Sequence, residues 1–454
     1  MILRRILIAN RGEIAVRIMR TCERLGIETV LAASDADLGS VAARRADHVV
    51  RLGPASASGS YLNVSAVIGA ARAAAADALH PGYGFLSENA QLGRACDAAG
   101  IVFIGPTPEQ LLAVGDKLRA RGHAIAAGLP VLPGGDVSSL ESAAALAAQI
   151  GYPVLIKAVG GGGGRGMRQV HSPEGLAGAL DLAVAEAAAA FGDARVYLER
   201  YVAAGRHVEV QILGDGESVV HLGTRDCSIQ RRYQKLIEEA PAPRLPTPVR
   251  EHMQDAAASF GRHLKYRGLG TVEFLYDCDR EAFYFLEMNA RIQVEHPVTE
   301  AICGLDLVEC QIRVAEGRPL SFTQSDVRCD GHAIECRINA EDWRRDFRPN
   351  PGRVTRAIFA AGEGVRVDTH VESGADVPPY YDSLMAKVIA HGRDRTQALE
   401  RLCAALARCR IEGVSSTLSL QEALARSPGF AAGGVTTDYF ARFLDNRSAA
   451  EHRA

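Results

Sequence analysis

A mixed α/β (α+β) fold is predicted by three observations. Residues 1–115 alternate between short apolar runs and amphipathic helical patterns. A run of glycines, Gly160 to Gly166, lies between two strand-like segments. Two further apolar strand patterns, around Glu273 and Glu287, each carry a carboxylate in otherwise water-avoiding company.

At 454 residues the chain is long enough for about three domains, each with a core of its own. Its 47% hydrophobic and 23% charged residues are those of an ordinary globular protein. A net charge of −3 argues against a general nucleic-acid binder, and no nucleic-acid partner is expected. The N-terminal run Met1 to Asn10 is broken too early for a signal peptide. No stretch reaches the roughly eighteen apolar residues of a membrane span, so no membrane association is expected. The ten cysteines are scattered with no CxxC pair, which disfavours metal clusters and disulfide frameworks and fits a reducing cytoplasm.

In chain order, Arg5 to Ala9 reads as a buried strand, Glu13 to Leu25 as an amphipathic helix stopped by Gly26, and Glu28 to Ala33 as the next strand. This βαβ rhythm predicts a parallel sheet. The first turn, Asn10-Arg11-Gly12-Glu13, lacks GxGxxG, so a nicotinamide dinucleotide site is not expected there. A boundary falls near Leu129 to Gly135, and the Ala-rich stretches 143–148 and 183–190 read as plain helices. The proline-rich stretch Ala240 to Pro246 reads as an ordered loop, because motifs with chemistry in them flank it. After about Gly331 new strands and a helix over Thr396 to Cys409 predict a third domain, and no internal repeat is visible.

The glycine run matches GxGxxG trivially, at Gly161, Gly163 and Gly166, as any such run would. A Rossmann loop leads from a strand into a helix. Here Val154 to Val159 is followed by the strand-like Met167 to Val170, and no Gly-Lys-Ser/Thr is present. A hairpin tip that lays exposed backbone N–H groups over phosphate is the better reading, against a bland surface linker. Lys157 favours it, since a lysine in an apolar strand needs an anionic partner.

Thr271 to Tyr276 and Phe283 to Asn289 read as strands. Glu287 and Asn289 share a strand face, and with Glu273 they form an all-oxygen set suited to Mg²⁺ or Mn²⁺. The polar alternation continues through Arg291, Gln293 and Glu295, so an extended segment would gather all five on one face. A half-solvated edge strand is the plainer account of alternation. The passage from metal-type ligands to an anion-binding arginine and a further carboxylate argues for a site. Thr224 to Lys235 is a dense polar stretch, equally compatible with a solvated loop. His207 with Glu209, and Arg337 near Glu335, read by themselves as ordinary structural pairs.

At these residues the sequence resembles biotin carboxylase, an ATP-grasp enzyme. The resemblance rests on Ile8 to Ala15 (IANRGEIA), His80 to Asn89 (HPGYGFLSEN), the glycine run, Arg225-Asp226-Cys227-Ser228, Glu287-Met288-Asn289, Arg291 to Glu300 (RIQVEHPVTE) and Glu335 to Asp342 (ECRINAED), in family order across nearly the whole chain. It implies a Rossmann-like pre-ATP-grasp domain over 1–115, an ATP-grasp domain over 116–330 with a mobile lid at about 131–203, and a biotin carboxylase C-terminal domain over 331–446. It implies that ATP is bound by Lys117, Lys157, Gly162, Gly163, Gly164, Glu199, Arg200, Val202, His207, Gln230, Tyr233, Leu275, Glu273 and Glu287. Glu273, Glu287 and Asn289 would hold Mg²⁺ or Mn²⁺, with two ions expected. Lys235, Arg291, Gln293 and the backbone of Val294 would hold bicarbonate, Glu295 would deprotonate it, and Arg337, bordered by Tyr83, would stabilise the enolate of biotin. Carboxyphosphate is the implied intermediate, which the lid must keep from water.

Two positions depart from the family pattern. Tyr233 stands where histidine is common, which predicts altered nucleotide affinity, and Ala290 replaces a usual threonine whose side chain should point off the active face. No Ala/Val-Met-Lys-Met biotinylation motif occurs, so the expected substrate is biotin on a separate carrier protein, with carboxyltransferase subunits beyond it and a homodimer implied by the family. The reaction expected is the first half of acetyl-CoA carboxylase, leading to malonyl-CoA and fatty acid synthesis. Alternatives are the equivalent subunit of another acyl-CoA or pyruvate carboxylase, a different ATP-grasp ligase such as half of a carbamoyl-phosphate synthetase, and a non-catalytic nucleotide-binding regulator.

Overall fold

The computed structural model describes residues 2–160 and 167–451. Gly161 to Gly166, and with them the expected phosphate-covering Gly162, Gly163 and Gly164, lie outside the described residues.

The predicted parallel sheet is present. Its strands are β1 (Arg5–Ile8), β2 (Glu28–Ser34), β3 (His48–Gly53), β4 (Ala78–His80) and β5 (Val102–Phe103), and α1 (Gly12–Leu25) connects the first two. All pairings are parallel, in the order β3-β2-β1-β4-β5. Gly26 ends α1 in the left-handed conformation, returning its N–H to Cys22 and Glu23 carbonyls. Strand order reverses between β1 and β4, and a crevice opens where such a reversal separates the connecting loops. There the Asn10 amide donates to the Pro81 and Tyr83 carbonyls, each at 2.7 Å. Gly82 permits this approach: its φ is +62°, and a Cβ would fall 2.9 Å from the Asn10 amide nitrogen. His80, fully buried, completes the loop by accepting from Gly82 N–H at 3.0 Å.

After α2 (Lys117–Ala126) comes a small unit with its own core. Here β6 (Gly134–Val137), α3 (Leu140–Ile150), β7 (Val154–Ala158), β8 (Met167–Val170), α4 (Leu176–Phe191) and β9 (Val196–Arg200) form an antiparallel sheet ordered β6-β9-β7-β8 under two helices. The hairpin expected across the glycine run is β7 against β8, with Lys157 opposite Met167. Both Ala-rich stretches are helical, in α3 and α4.

The centre is an eight-stranded antiparallel sheet. It contains β10 (Gly205–Asp215), β11 (Val219–Arg231), β12 (Gln234–Ala240), β13 (Arg267–Asp277), β14 (Ala282–Asn289), β15 (His332–Asn339), β16 (Val365–Thr369) and β17 (Leu384–Gly392). The order is β14-β13-β10-β11-β12-β15-β17-β16, so the segment after Gly331 extends the same sheet. Its helices include α5 (Thr247–His263), α6 (His296–Cys303) and α7 (Arg395–Arg408), the last matching the expected helix within a residue at each end. One apolar cluster runs from Leu7 and Leu79 of the parallel sheet into Val208, Val272 and Phe274 of the large one. The Ala240 to Pro246 stretch is ordered: Ala242 and Leu245 are buried, and the Pro243 carbonyl accepts from Arg206 at 2.6 Å.

One expectation needs correction. The polar alternation from Glu287 to Glu295 is not one extended segment. β14 ends at Asn289, the last residue in register with β13. The Ala290 N–H then turns to the Glu88 carboxylate at 2.9 Å, which draws the chain out of the sheet toward the N-terminal domain. Turns carry it to Glu295, at the N-cap position of α6. Ala290 and Ile292 are buried in the core, as the apolar half of the alternation requires.

Arg225 of β11 ties these elements together. It is fully buried, and its five donors are all used: Glu209 at 2.6 Å, Gln211 at 2.8 Å, Thr299 at 2.9 Å, Thr271 at 3.0 Å and Gln293 at 2.8 Å. Arg225→Met should therefore destabilise the protein by about 3–5 kcal/mol in denaturant unfolding, because it removes one of the two cations on the buried Glu209 and the donor to four interior polar groups. His80 supplies a pH dependence. Burial pushes its imidazole down to about 3, whereas the unfolded chain takes up that proton below roughly 6.5. Its neutral form thus costs no stability above that pH, and stability falls as pH drops from there toward 3, by up to about 1.4 kcal/mol per unit. His80→Gln should flatten this slope in urea unfolding compared at about pH 7 and about pH 5.

Candidate active site

A cleft of about 950 Å³ lies between the parallel sheet, the small antiparallel unit and the large sheet. Every predicted site residue within the described stretches lines it, from Tyr83, Lys117 and Lys157 through Glu295 to Arg337.

The catalytic-looking end begins with register. Glu209 of β10 pairs with Glu273 of β13, and Glu273 with Glu287 of β14, so three carboxylates occupy neighbouring positions. Such crowding inside a protein requires cations. Lys235 of β12 provides one: its Nζ reaches Glu209 at 2.6 Å, Glu273 at 3.0 Å and Glu295 at 2.6 Å. His207 of β10 approaches Glu273 at 3.1 Å and is held on its other face by Gln230 at 2.9 Å. Burial, the largest influence, and Lys235 both lower the His207 imidazole, but Glu273 and Glu209 together outweigh them and lift it to about 9. His207 is therefore more than an isolated structural pair with Glu209. It belongs to the network.

Glu295 stands between two cations, with Lys235 on one oxygen and Arg337 of β15 at 2.9 Å on the other. Burial pushes its carboxyl up and Glu209 adds to that push, yet Lys235 and Arg337 prevail and hold it below the ordinary range. Arg337 also pairs with Glu238 of β12 at 2.5 Å rather than with its strand neighbour Glu335. Burial lifts the Glu238 carboxyl to about 7 against the pull of Arg337.

The remaining side chains sit around this core. Asn289 donates to Glu273 at 2.8 Å, as does Gln293 at 3.0 Å. Arg291 bonds Glu88 at 2.8 Å and Asn289 at 2.9 Å. Lys117 meets Glu287 at 2.5 Å, and Lys157 of β7 pairs with Glu199 of β9. Each anion expected to hold metal, and each lysine expected to hold phosphate, is thus charge-matched within the protein. Glu273, Glu287 and Asn289 offer oxygen donors on adjacent strands, a set that fits a hard divalent cation bridging phosphates. Tyr233 lies at the β11–β12 hairpin tip, where Arg232 and Tyr233 both have positive φ, and its half-exposed ring borders the cleft.

Several participants carried no assigned role in the sequence. Arg225, Glu238 and Glu88 hold Gln293, Arg337 and Arg291 respectively. Lys387 of β17, fully buried, bonds the Val294 carbonyl at 2.8 Å and Glu13 at 3.1 Å, and Glu13 accepts from the Tyr83 hydroxyl. Glu13, Glu88 and Arg225 fall within quoted motifs; Lys387 lies in a strand whose apolar neighbours, Ala386 and Val388, gave its partner no signal.

Three family models match in succession: "Biotin carboxylase, N-terminal domain" over residues 2–111, "Carbamoyl-phosphate synthase L chain, ATP binding domain" over 116–323, and "Biotin carboxylase C-terminal domain" over 335–442. A biotin carboxylase from Allochromatium vinosum is 49% identical over 444 residues, 97% of this chain and 98% of that protein. A pyruvate carboxylase subunit of Methanothermobacter thermautotrophicus is 48% identical, covering 96% of this chain and 89% of that one. Among solved structures, the dimeric biotin carboxylase domain of Hydrogenobacter thermophilus 2-oxoglutarate carboxylase, in complex with MgADP, ADP and bicarbonate, superposes with a TM-score of 0.93 at 41% identity, covering 97% of this chain and 98% of that one. The chain belongs to the biotin carboxylase family and is an ATP-grasp ligase that carboxylates biotin using ATP and Mg²⁺.

Proposed function

We propose that Glu295 is the base that deprotonates bicarbonate in this cleft. The observation that carries this reading is the position of its carboxylate between Lys235 Nζ and the Arg337 guanidinium. A base held ionised by two cations accepts a proton without first shedding one. Bicarbonate entering among Lys235, Arg291, Gln293 and the Val294 backbone would take over the contacts that carboxylates now satisfy. Arg337, freed when Glu295 is neutralised, would face the ureido oxygen of biotin beside Tyr83 and stabilise the enolate. Lys117, Lys157, Glu199, Arg200, Val202, His207, Gln230, Tyr233 and Leu275 would hold ATP under a lid formed by the β6–β9 unit. Metal at Glu273, Glu287 and Asn289 would neutralise charge on the transferring phosphoryl group. Transfer yields carboxyphosphate, which breaks down to CO₂ and phosphate; phosphate takes the biotin N1′ proton and the enolate attacks CO₂.

The carrier in this reading is a separate biotin carboxyl carrier protein, the working assembly is a homodimer with carboxyltransferase subunits downstream, and the final acceptor is acetyl-CoA. The dimeric domain among the solved structures supports the homodimer. The name of the Methanothermobacter relative favours pyruvate as the second reading.

The decisive measurement is ADP release. It should require bicarbonate and rise with added free biotin; release indifferent to biotin, or carbamoyl phosphate formed from ammonia, would overturn the assignment. Glu295→Gln keeps the shape and removes the base. It should lower kcat by about 10²- to 10⁴-fold while leaving the KM for ATP within a few-fold.

A further inference from the structure

All ten cysteines are free thiols, and two that do not line the cleft meet each other. Cys303, half-buried, ends α6, and the exposed Cys329 lies just before β15. Their sulfurs are 3.4 Å apart. Three neighbouring contacts fix the approach. The Asp330 N–H donates to the Ile302 carbonyl at 2.8 Å, joining the residues beside each cysteine. The Cys303 thiol reaches the Leu222 carbonyl of β11 at 3.5 Å. Gly223 leaves the space that Cys329 occupies, since a Cβ there would lie 3.3 Å from its sulfur. A disulfide has its sulfurs about 2.05 Å apart, so side-chain rotation has only a little over an ångström to close.

We propose that Cys303 and Cys329 form an oxidation site, closed to a reversible intramolecular disulfide by a hydroperoxide. The exposed Cys329 thiolate attacks the peroxide O–O bond, becoming a sulfenic acid as the peroxide is reduced and releases water or an alcohol. The Cys303 thiol then displaces the sulfenic oxygen, which leaves as water. Two electrons pass from the sulfur pair to one peroxide, and a dithiol restores both thiols. The new bond would tie the C-terminal end of α6, whose N-cap is Glu295, to the lead-in of β15, which carries Arg337. The elements presenting those two groups would be cross-linked at their far ends.

The test uses the whole protein treated with stoichiometric hydrogen peroxide, then alkylated and mapped by mass spectrometry. Loss of two thiols per chain, a peptide joining Cys303 to Cys329 and recovery of both thiols with dithiothreitol are expected. Thermal unfolding of the oxidised form should shift upward by on the order of a few degrees, because the cross-link restricts the unfolded chain. Cys329→Ser, an exposed change outside the cleft, should fold and turn over as the unmodified protein does but show neither the linked peptide nor the shift. Unchanged thiol count, linkage between other cysteines, chains joined through Cys329, or oxidation to sulfinic acid without a disulfide would each overturn the proposal.

Discussion

The structure turns on the burial of like charge. Glu209, Glu238, Glu273 and Glu295 sit within the large sheet and the turn leading to α6, each at most 5% exposed. Their mutual repulsion in a poorly screened interior would unfold the region if cations were not brought to them. Lys235, Arg225, Arg337 and His207 meet that demand, and each comes from a different place in the register of the sheet. The same arrangement suits catalysis. A site that already matches each of these four carboxylates with a cation can accept an anionic substrate by exchanging partners, with little reorganisation.

Rigidity is graded around that core. Arg225 uses all five donors and locks β10, β13, the Gln293 turn and α6 to one another. Lys387 does the same for the Val294 carbonyl and Glu13. The lysines proposed to hold ATP are looser: Lys117 and Lys157 each hold one carboxylate, and Lys157 belongs to the small sheet with its own hydrophobic cluster. The end around Glu295 is thus braced by buried networks, whereas Lys157 is carried by a unit with its own hydrophobic cluster.

Much of this was readable beforehand because its signals are local. Apolar runs and Gly26 marked β1, α1 and β2 within a residue or so, and the strands on either side of the glycine run marked a hairpin. The carboxylates at Glu273 and Glu287 stood out because strand interiors rarely tolerate them unpaired. The reading of 287–295 as one extended face failed for a nonlocal reason. The partner that draws Ala290 out of the sheet is Glu88, some two hundred residues away, and alternation carries no record of it. Arg337 was legible as charged and near Glu335, but its actual partners, Glu238 and Glu295, are set by pairing between β12 and β15 and by the turn before α6.

The sequence alone determined the class of fold, the family, and which residue types would gather for the reaction, because motifs and periodicities are properties of neighbours along the chain. Only the tertiary structure decided how the charges are matched. It placed Lys235 on three carboxylates at once, set Glu295 between two cations, assigned Lys387 and Arg225 as braces, and brought Cys303 to Cys329. Those outcomes depend on which strands adjoin and in what register, since a charge in a buried sheet is governed by what lies across from it rather than by what precedes it.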